Sequence, residues 1–297
     1  MKIISELKKL KVGKVTSKVE LRKYTTYRLN EKALGLVYPD SVESLIKLLN
    51  YLKDNNIKHK IIGNGSNLIF TKYYEGILIK LTELKSINIT DNIIKVESGY
   101  NLIKLSYDAA NMGLSGLEFA SGIPGTVGGA IYMNAGAYKS DMGYIVSEVK
   151  LLDPDLNIIT MYNKELDFHY RTSFLMKNKD YICLEATLKL ENKNKQEILD
   201  LMEDRKKRRL ETQPLDKPCA GSVFRNPEND SAWRLIEQLG YKGKSINDAK
   251  VSEKHANFII NTGKARGKDI INLINEIKEK VNKEYGIDLK LEQEIVE

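Results

Sequence analysis

A glycine-rich segment, SGIPGTVGGAIYMNAGAY, occupies Ser121–Tyr138 in the middle of the chain. Glycine permits positive φ angles and a close approach of the backbone to a ligand, so a run of small residues exposes backbone N–H groups. Such groups form concave sites that bind anions. Ser121, Thr126 and Asn134 add hydroxyl and amide groups without bulk. The segment therefore predicts a cradle for a cofactor that carries phosphate.

A second small-residue loop, GNGSNL, lies upstream at Gly63–Leu68. It has the first two glycines of a Rossmann fingerprint, but Leu68 stands where the third glycine belongs and no long helix follows, which argues against a Rossmann domain. Two tight turns between strands would explain the glycines, but not the excess of hydroxyl and amide residues such as Ser66 and Asn67. Two such loops are suited to a long ligand with two ends.

A third glycine cluster, around Gly263 and Gly267-Lys268-Asp269, partly resembles a P-loop. Its spacing is one residue short, and Asp269 replaces the serine or threonine that would bind magnesium. The cluster is therefore interpreted as the beginning of a long helix.

The amino-acid composition is typical of a water-soluble globular protein. Of 297 residues, 42% are hydrophobic and 29% charged, and no apolar run is long enough to span a bilayer. The first residues lack the pattern of a signal peptide, so we expect a cytoplasmic protein. The length suggests two domains.

Charge and cysteine content exclude further classes of function. The formal charge of +7 comes mostly from scattered lysines, and the run Arg205–Arg209 lacks interleaved aromatic residues, so we expect no nucleic-acid binding. A basic surface suits polyanionic substrates such as nucleotide sugars. Cys183 and Cys219 have no metal-site spacing, so we expect two reduced thiols and no metal.

Hydrophobic periodicity predicts mixed helices and strands. Helices are predicted after Ser41, at Leu102–Met112, from about residue 195 to Leu210, at Ala232–Leu239 and at Lys268–Tyr285. Strands are predicted at Lys60–Ile62, Leu68–Phe70, Ile77–Leu81, Ile93–Glu97, Ile145–Leu152, Ile158–Tyr162, Tyr181–Leu190 and Leu289–Val296.

Eight ordered motifs carry a resemblance to a known family. They are YTTYRL (Tyr24–Leu29), GNGSNLI (Gly63–Ile69), the segment Ser121–Tyr138, YRTS (Tyr170–Ser173), AGSVFRNP (Ala220–Pro227), YKG (Tyr241–Gly243), VSEKHANFIIN (Val251–Asn261) and LEQEI (Leu291–Ile295). In this order they resemble the UDP-N-acetylenolpyruvoylglucosamine reductases, flavin-dependent enzymes of peptidoglycan precursor synthesis. The resemblance covers nearly the whole chain.

The resemblance implies an α+β fold: a two-lobed FAD-binding region of the PCMH/vanillyl-alcohol-oxidase-like superfamily, followed by a C-terminal α+β substrate domain. The expected domains are residues 1–192, with lobes at 1–82 and 83–192, and residues 193–297. The expected cofactor is FAD, bound noncovalently because neither glycine loop contains a histidine. The implied contacts with it are Gly63, Asn64, Gly65, Ser66, Asn67, Leu68, Ser121, Gly122, Pro124, Gly125, Thr126, Gly128, Gly129, Asn134, Gly136 and Ala137.

The implied reaction has two halves. NADPH reduces FAD, and the enolpyruvyl group of UDP-N-acetylglucosamine enolpyruvate then receives a hydride at C3 and a proton at C2. By resemblance, Arg171 would stabilise the negative charge, Ser222 would donate the proton and Glu294 would assist it. Strand alternation places Glu292 and Glu294 on one face and does not choose between them; the resemblance favours Glu294.

The resemblance also implies substrate contacts for Asn226, Lys242 and His255, with Lys242 near the diphosphate. Tyr170 is a further candidate because it adjoins Arg171. We interpret His59 and His169, which no motif includes, as structural.

The chain departs from the family pattern at three places. Asn30-Glu31 and Asn247-Asp248 replace glycine pairs, and Lys139 replaces a glycine; we expect altered contacts at the cofactor's edge. The short spacing from Ser222 to Trp233 leaves no room for an extra tyrosine-bearing loop, so the chain resembles the shorter subclass. Separately, we expect a monomer. The alternatives are another FAD-dependent oxidoreductase of the superfamily and a nucleotide-binding protein without catalysis.

Overall fold

The structure, a computed structural model, describes residues 2–297. Its α-helices begin and end close to the predicted bounds, with two short helices and one N-terminal helix that the periodicity does not predict. They are α1 (Lys2–Lys9), α2 (Val42–Asp54), α3 (Leu102–Asn111), α4 (Val127–Met133), α5 (Phe174–Lys177), α6 (Lys195–Thr212), α7 (Ala232–Gln238) and α8 (Gly267–Tyr285).

The strands are mostly short. They are β1 (Lys14–Glu20), β2 (Lys32–Tyr38), β3 (His59–Ile62), β4 (Leu68–Phe70), β5 (Tyr74–Lys80), β6 (Ile87–Thr90), β7 (Ile93–Glu97), β8 (Leu114–Ser115), β9 (Gly136–Ala137), β10 (Ser140–Asp141), β11 (Val146–Leu152), β12 (Ile158–Tyr162), β13 (Ile182–Lys189), β14 (Glu191–Asn192), β15 (Ser245–Ile246), β16 (Ala249–Val251), β17 (Ile259–Asn261) and β18 (Glu294–Val296).

The described chain divides into two compact units, each built from three segments. The first unit comprises the described residues up to Ser17, Gly35–Asn64 and Gly76–Lys207. The second comprises Lys18–Leu34, Gly65–Glu75 and Arg208–Glu297. These units are discontinuous in sequence, whereas the predicted domains are continuous, and the boundary between residues 192 and 193 stays a prediction.

The core of the first unit forms around a five-stranded sheet in the order β12–β11–β13–β7–β6. Every neighbouring pair in it is antiparallel. In the central strand β13, Leu184, Ala186 and Leu188 are buried while Glu185 and Thr187 are less so, which is the period-two pattern that the sequence predicts. Helices α3 and α4 contribute buried residues to the same core. A second sheet, β1–β2–β5–β3, belongs largely to this unit.

Helix α2 illustrates why these residues fold as they do. Ser41 precedes the helix and its hydroxyl accepts the N–H of Ser44 at 3.1 Å, which satisfies one of the unpaired amides of the first turn. Leucines at helical spacing, Leu45, Leu48 and Leu49 among them, are buried on one face. The cap and the spacing together explain why the sequence predicts both the start and the buried face.

The core of the second unit packs around α8. Its buried face consists of Ile270, Leu273, Ile274, Ile277 and Val281, and the helix ends at Gly286, whose φ of +67° is left-handed. The unit also contains the antiparallel sheet β15–β16–β17 and the parallel pair β4 and β18. Buried side chains of β4, β16 and β17 form one cluster with those of α7 and α8.

The predicted strand Leu289–Val296 is wrong in length, because only Glu294–Val296 pairs with β4. The preceding residues bond to a different segment: Arg225 donates its N–H to the Lys290 carbonyl and Glu292 donates to the Val223 carbonyl, both at 2.9 Å. The C-terminal segment therefore changes partner part-way along its length. No helix among residues 2–297 has the length and apolarity needed to cross a bilayer.

Candidate cofactor and substrate site

The two glycine-rich loops contact each other within the first unit. Asn64 donates from Nδ2 to the carbonyl oxygen of Gly125 at 3.0 Å. A Cβ added to Gly63 would lie 2.7 Å from Thr126 Oγ1, so a larger residue does not fit there. Two segments that the sequence marks separately thus form one structure.

The glycine-rich segment is not a continuous loop, because it contains α4. Thr126 caps this helix by accepting the Gly129 N–H on its hydroxyl at 3.3 Å. The Val127 N–H donates to the Tyr100 carbonyl at 3.0 Å and the Gly128 N–H to the Ser98 carbonyl at 2.8 Å. The first-turn amides thus have partners inside the unit, and a ligand must be held mainly by other groups.

Two of the predicted side-chain donors also bond within the first unit. Ser121 donates its hydroxyl to the Glu118 carbonyl at 2.9 Å. Asn134 donates from Nδ2 to the His169 carbonyl at 2.8 Å and accepts the Gly143 N–H on Oδ1 at 2.9 Å. Their contacts with a cofactor stay predictions.

The rest of the upstream loop, Gly65–Leu68, belongs to the second unit. Gly65 has a φ of +64°, and a Cβ there would lie 2.4 Å from the Tyr24 carbonyl oxygen. Asn67 donates from Nδ2 to the Glu292 carbonyl at 3.0 Å and accepts the Glu294 N–H on its own carbonyl at 2.8 Å. This loop therefore holds the segment that carries both candidate glutamates.

The residues of both loops fit a phosphate-bearing cofactor. Ser98, 2% exposed and adjacent to Gly128, has a buried Oγ without a hydrogen-bond partner in the described structure. Thr26, whose N–H donates to the Gly65 carbonyl, likewise has a buried Oγ1 without a partner. Buried hydroxyls normally have a partner. A Cβ on the exposed Gly129 would meet only Thr126 Oγ1, at 3.4 Å, so the backbone there is open to a ligand.

Arg171 is held in a strained conformation in the first unit. Its φ is +54°, a left-handed value that costs a non-glycine residue free energy and is enriched at functional sites. Its guanidinium donates to the Gly136 carbonyl at 2.6 Å and lies 5.0 Å from the ring centroid of Tyr170, which is 51% exposed. The Arg171 guanidinium is thus oriented by its neighbours.

Asp141 is an acidic neighbour of Arg171 that the sequence reasoning missed. Burial raises its pKa, while hydrogen bonds from Gly143 and Asn134 and the charge of Arg171 act in the opposite direction. Within the hairpin formed by β9 and β10, Gly136 pairs with Asp141. No motif signals this residue, because its role depends on the hairpin.

Ser222 and Glu294 both belong to the second unit. The half-buried Ser222 follows Gly221, whose φ is +74°. After it, the Val223 N–H donates to the Asn257 carbonyl, and the Asn257 side chain bonds Phe224 in both directions. Glu292 and Glu294 are both half-buried, so the choice of Glu294 stays a prediction.

Helix α7 brings together three predicted substrate residues. Asn226 accepts the Ala232 N–H on Oδ1 at 3.1 Å at the start of the helix. Lys242 pairs with Glu237 at 2.6 Å. The ring of His255 lies 6.3 Å from that of Trp233, which is 42% exposed. Trp233 is a further candidate that the sequence reasoning did not single out.

His255 is a neutral hydrogen-bonding residue at neutral pH. Burial lowers its pKa, and the Lys242 ammonium lowers it further. Its Nδ1 lies 3.3 Å from the Asn257 N–H and accepts it, so the ring proton resides on Nε2. The side chain can therefore donate from Nε2 to an acceptor.

The departures from the family pattern build local structure. Glu31 Oε1 accepts the N–H of Gly267, the first residue of α8, at 2.9 Å. Asn247 donates to Asp269 in the first turn of α8 at 2.8 Å, and Asp248 accepts the Lys264 N–H at 2.7 Å. Three of these five residues thus surround the start of α8, and the P-loop-like cluster is confirmed as a helix start.

Comparison with known proteins agrees with these observations. Residues 33–162 match the model of an FAD-binding domain, and residues 213–296 match the C-terminal domain of UDP-N-acetylenolpyruvoylglucosamine reductase. The reductase of that name from Bacillus subtilis (strain 168) is 43% identical over 99% of this chain and 98% of its own length. The chain belongs to the UDP-N-acetylenolpyruvoylglucosamine reductase family.

Two further relatives agree with this assignment. The reductase of Anoxybacillus flavithermus (strain DSM 21510 / WK1) is 44% identical, again over 99% of this chain and 98% of its own. The crystal structure of the Thermus caldophilus enzyme superposes with a TM-score of 0.82 at 34% identity, covering 96% of this chain and 99% of that one. The predicted family and the α+β fold class are thereby confirmed.

Proposed function

We propose that this chain reduces UDP-N-acetylglucosamine enolpyruvate to UDP-N-acetylmuramate with NADPH and noncovalently bound FAD. Membership of the reductase family makes the chain an FAD-dependent oxidoreductase of peptidoglycan precursor synthesis. One structural observation supports the proposal. Asn67 of the predicted cofactor loop donates to the Glu292 carbonyl and accepts the Glu294 N–H. The predicted cofactor residue Asn67 and the predicted catalytic residue Glu294 are thus directly hydrogen-bonded within the second unit.

Several residues would hold FAD in this scheme. The glycines of both loops allow its close approach, and Ser98 Oγ and Thr26 Oγ1 would supply hydrogen bonds that they lack otherwise. When bound, FAD supplies a redox centre that accepts hydride from NADPH and delivers hydride to the substrate. Overall, NADPH and one proton are consumed, and C3 and C2 of the enolpyruvyl group each gain a hydrogen.

Arg171 would stabilise the negative charge that develops on the enolpyruvyl group. Hydride addition at C3 leaves an electron pair at C2 that is delocalised into the adjacent carboxylate. A guanidinium remains charged and forms a bidentate fork to a carboxylate or enolate. Since the contacts with Gly136 and Tyr170 orient this fork in advance, it need not reorganise during the reaction.

Ser222 would deliver the proton to C2. A hydroxyl is a weak acid, so it can act only on a strongly basic carbon such as that of a stabilised enolate. The bonds that fix residues 220–225 hold the serine in a defined place. Glu294 would assist by accepting a hydrogen bond or by restoring the serine proton afterwards.

Substrate binding would involve the residues around α7. The Lys242 ammonium is suited to a diphosphate, and neutral His255 can donate from Nε2. Asn226 and Tyr170, both exposed, complete the proposed set. We further propose that the chain acts as a monomer in the cytoplasm, without nucleic-acid or membrane partners. The two free thiols, Cys183 and Cys219, agree with a reducing compartment.

Two measurements test this function. The purified protein should be yellow, and denaturation should release intact FAD into solution. NADPH oxidation, followed at its absorbance maximum, should require UDP-N-acetylglucosamine enolpyruvate. A protein that cannot be loaded with FAD, or one that oxidises NADPH at the same rate with and without the substrate, would refute the proposal.

Replacing Ser222 by Ala tests the proposed division of roles. The variant should be reduced by NADPH at the rate of the parent but reoxidised by substrate at least ~100-fold more slowly, because the proton donor is absent. Equal loss in both half-reactions would contradict the role of Ser222 as proton donor.

A further inference from the structure

Gln293 has three hydrogen bonds in a site that excludes water. The side chain is 3% exposed. Its Oε1 accepts the hydroxyl of Tyr27 at 3.0 Å, and its Nε2 donates to the carbonyls of Ala220 and Gly221 at 3.1 and 3.2 Å. These are the residues immediately before Ser222. The carboxamide therefore links the candidate proton-donor turn to the segment of the candidate glutamates.

The orientation of this carboxamide is fixed by its neighbours. Burial raises the pKa of Tyr27 far above its usual range, so the phenol stays protonated and can donate. A donor on one side requires Oε1 there, and the two carbonyls on the other side require the NH₂ group. Only one of the two amide orientations satisfies all three partners.

On the N-terminal side of Ser222, the Gln293 donors bind the two carbonyls of a turn in which Ala220 is also buried in the core of the second unit. Gly221 has a φ of +74°, and a Cβ added there would find no atom within 4 Å, so no side chain packs on that side of the glycine. On the C-terminal side, Asn257 already fixes Val223 and Phe224. Loss of the Gln293 donors would therefore free the carbonyls of Ala220 and Gly221 and loosen one side of Ser222, while the other side stays anchored.

We propose that Gln293 is a positioning residue that sets the place of the Ser222 hydroxyl relative to Glu294. This inference rests on the proposed function of Ser222. Gln293 adjoins Glu294, whose N–H is bonded to the Asn67 carbonyl at 2.8 Å. The same segment therefore carries Glu294 and, through the Gln293 side chain, holds the turn before Ser222. Proton transfer requires hydrogen-bond distance, and displacement by about 1 Å can slow a reaction about 100-fold.

Two replacements of Gln293 separate its hydrogen bonds from its packing. Gln293→Met preserves the approximate volume and removes all three bonds. Gln293→Glu keeps the acceptor for Tyr27 but places a carboxylate against two carbonyl oxygens. In both FAD-loaded variants, reoxidation by UDP-N-acetylglucosamine enolpyruvate should slow about 10- to 100-fold, while reduction by NADPH stays within about twofold of the parent.

The pH dependence provides a signature that a purely structural role lacks. As the pH falls from about 8 to about 5.5, the introduced carboxyl of Gln293→Glu gains a proton and can donate again. Its reoxidation rate, relative to the parent at the same pH, should then rise, whereas that of Gln293→Met should not. Calorimetric titration with UDP-N-acetylmuramate should show affinities within about threefold of the parent, because Gln293 lies outside the proposed substrate contacts.

Asp269→Ala is the control for lost stability. Asp269 is also nearly buried in the second unit, but its bonds go to Arg266 and Asn247. It should lower the melting temperature without changing the ratio of the two half-reaction rates. Tyr27→Phe, which retains both Gln293 donors, should slow reoxidation less than Gln293→Met, and Gln293→Glu serves if Gln293→Met does not fold.

The outcomes are distinguishable. A parent protein that does not couple NADPH oxidation to the substrate overturns the proposed function and this role with it. A competent parent whose Gln293→Met variant, or Gln293→Glu at about pH 8 in its place, reoxidises at the parent rate overturns the positioning role alone. Equal slowing of both half-reactions would mean that Gln293 stabilises the fold in general, and it would likewise overturn the positioning role.

Discussion

Asn64 Nδ2 lies 3.0 Å from the carbonyl oxygen of Gly125, and this hydrogen bond joins two glycine-rich segments 61 residues apart in the chain. Neither segment by itself matches a complete nucleotide-binding motif such as the Rossmann fingerprint. Within the first unit, Gly63 and Asn64 contact Thr126 and Gly125, and the buried, unpartnered hydroxyl of Ser98 lies beside Gly128 of the second segment. The contact between the two loops therefore fixes the backbone of two segments that the sequence predicts to bind the cofactor.

Asn64→Ala should weaken FAD binding more than it weakens the fold. The loss of one hydrogen bond of about 1 kcal/mol corresponds to about a fivefold higher dissociation constant, measured by titrating apoprotein with FAD. Asn92→Ala is the matched control, because Asn92 also donates to a carbonyl, that of Leu190, at 2.8 Å in the same unit. Equal FAD affinity in Asn64→Ala and Asn92→Ala would contradict this prediction.

Ser98→Ala should have opposite effects on the apoprotein and on FAD binding. A buried hydroxyl without a partner is destabilising, so its removal should raise the free energy of unfolding of the apoprotein by about 1 kcal/mol. If the hydroxyl contacts the cofactor, FAD affinity should fall about fivefold. Ser106→Ala, whose hydroxyl already donates to the Ile103 carbonyl, should not stabilise the apoprotein. Unchanged FAD affinity would remove Ser98 from the site.

Arg171→Lys should impair the substrate half-reaction although the charge is retained. Lysine lacks the planar fork, and the loss of one preorganised donor to a developing anion costs about 100-fold in rate. Arg205→Lys is a suitable control, since Arg205 also stacks on a tyrosine, Tyr138, at 4.8 Å. Stopped-flow reoxidation by substrate should separate the two variants. An Arg171→Lys protein as fast as the parent would mean that charge alone suffices.

Lys139→Gly should stabilise the protein. Lys139 has a φ of +61°, and such a conformation costs an L-residue about 1 kcal/mol relative to glycine. Since this residue lies in the turn between β9 and β10, glycine should raise the free energy of urea-induced unfolding by about that amount. Lys280→Gly, on the exposed face of α8, should lower it by about 1 kcal/mol. A destabilised Lys139→Gly variant would show that the lysine side chain contributes more than its backbone costs.

His255 should make the protein less stable in mild acid. The folded state lowers its pKa below the ordinary 6.5, so below that pH the unfolded chain binds a proton that the folded chain does not. The free energy of unfolding should therefore fall as the pH drops from about 7.5 to about 5.5. His255→Gln should reduce this fall, measured by urea unfolding at each pH, and Lys242→Met should reduce it partly. An unchanged pH dependence in His255→Gln would exclude the effect.

Local signals in the sequence predict elements that depend on nearby residues. The cap at Ser41 and the leucines of α2 lie within one helix length of each other, and Gly113 and Gly240 mark the ends of α3 and α7 with φ of +72° and +70°. Strand β12 matches its predicted range because both its turn and its alternation are local.

Features that depend on distant residues could not be predicted in this way. Helix α4 forms in a glycine-rich stretch of low helix propensity because Ser98 and Tyr100 supply carbonyl acceptors from another segment. The C-terminal strand is shorter than its pattern because residues 290–292 bond to the segment around Val223. The unpartnered hydroxyl of Thr26 lies inside the motif YTTYRL, but the sequence does not distinguish Thr26 from its neighbours. Only the structure does so, through burial of the hydroxyl and the backbone contact with Gly65.

The pairing of Asn67 with the segment of Glu292 and Glu294 spans 225 residues. A ribosome makes the first partner long before the second, so the nascent chain must carry β4 without its strand partner throughout that interval. Closing so long a loop is entropically costly and slows folding. Maturation of the second unit is therefore a late event in synthesis, and the interval before it is when the chain depends most on protection from aggregation.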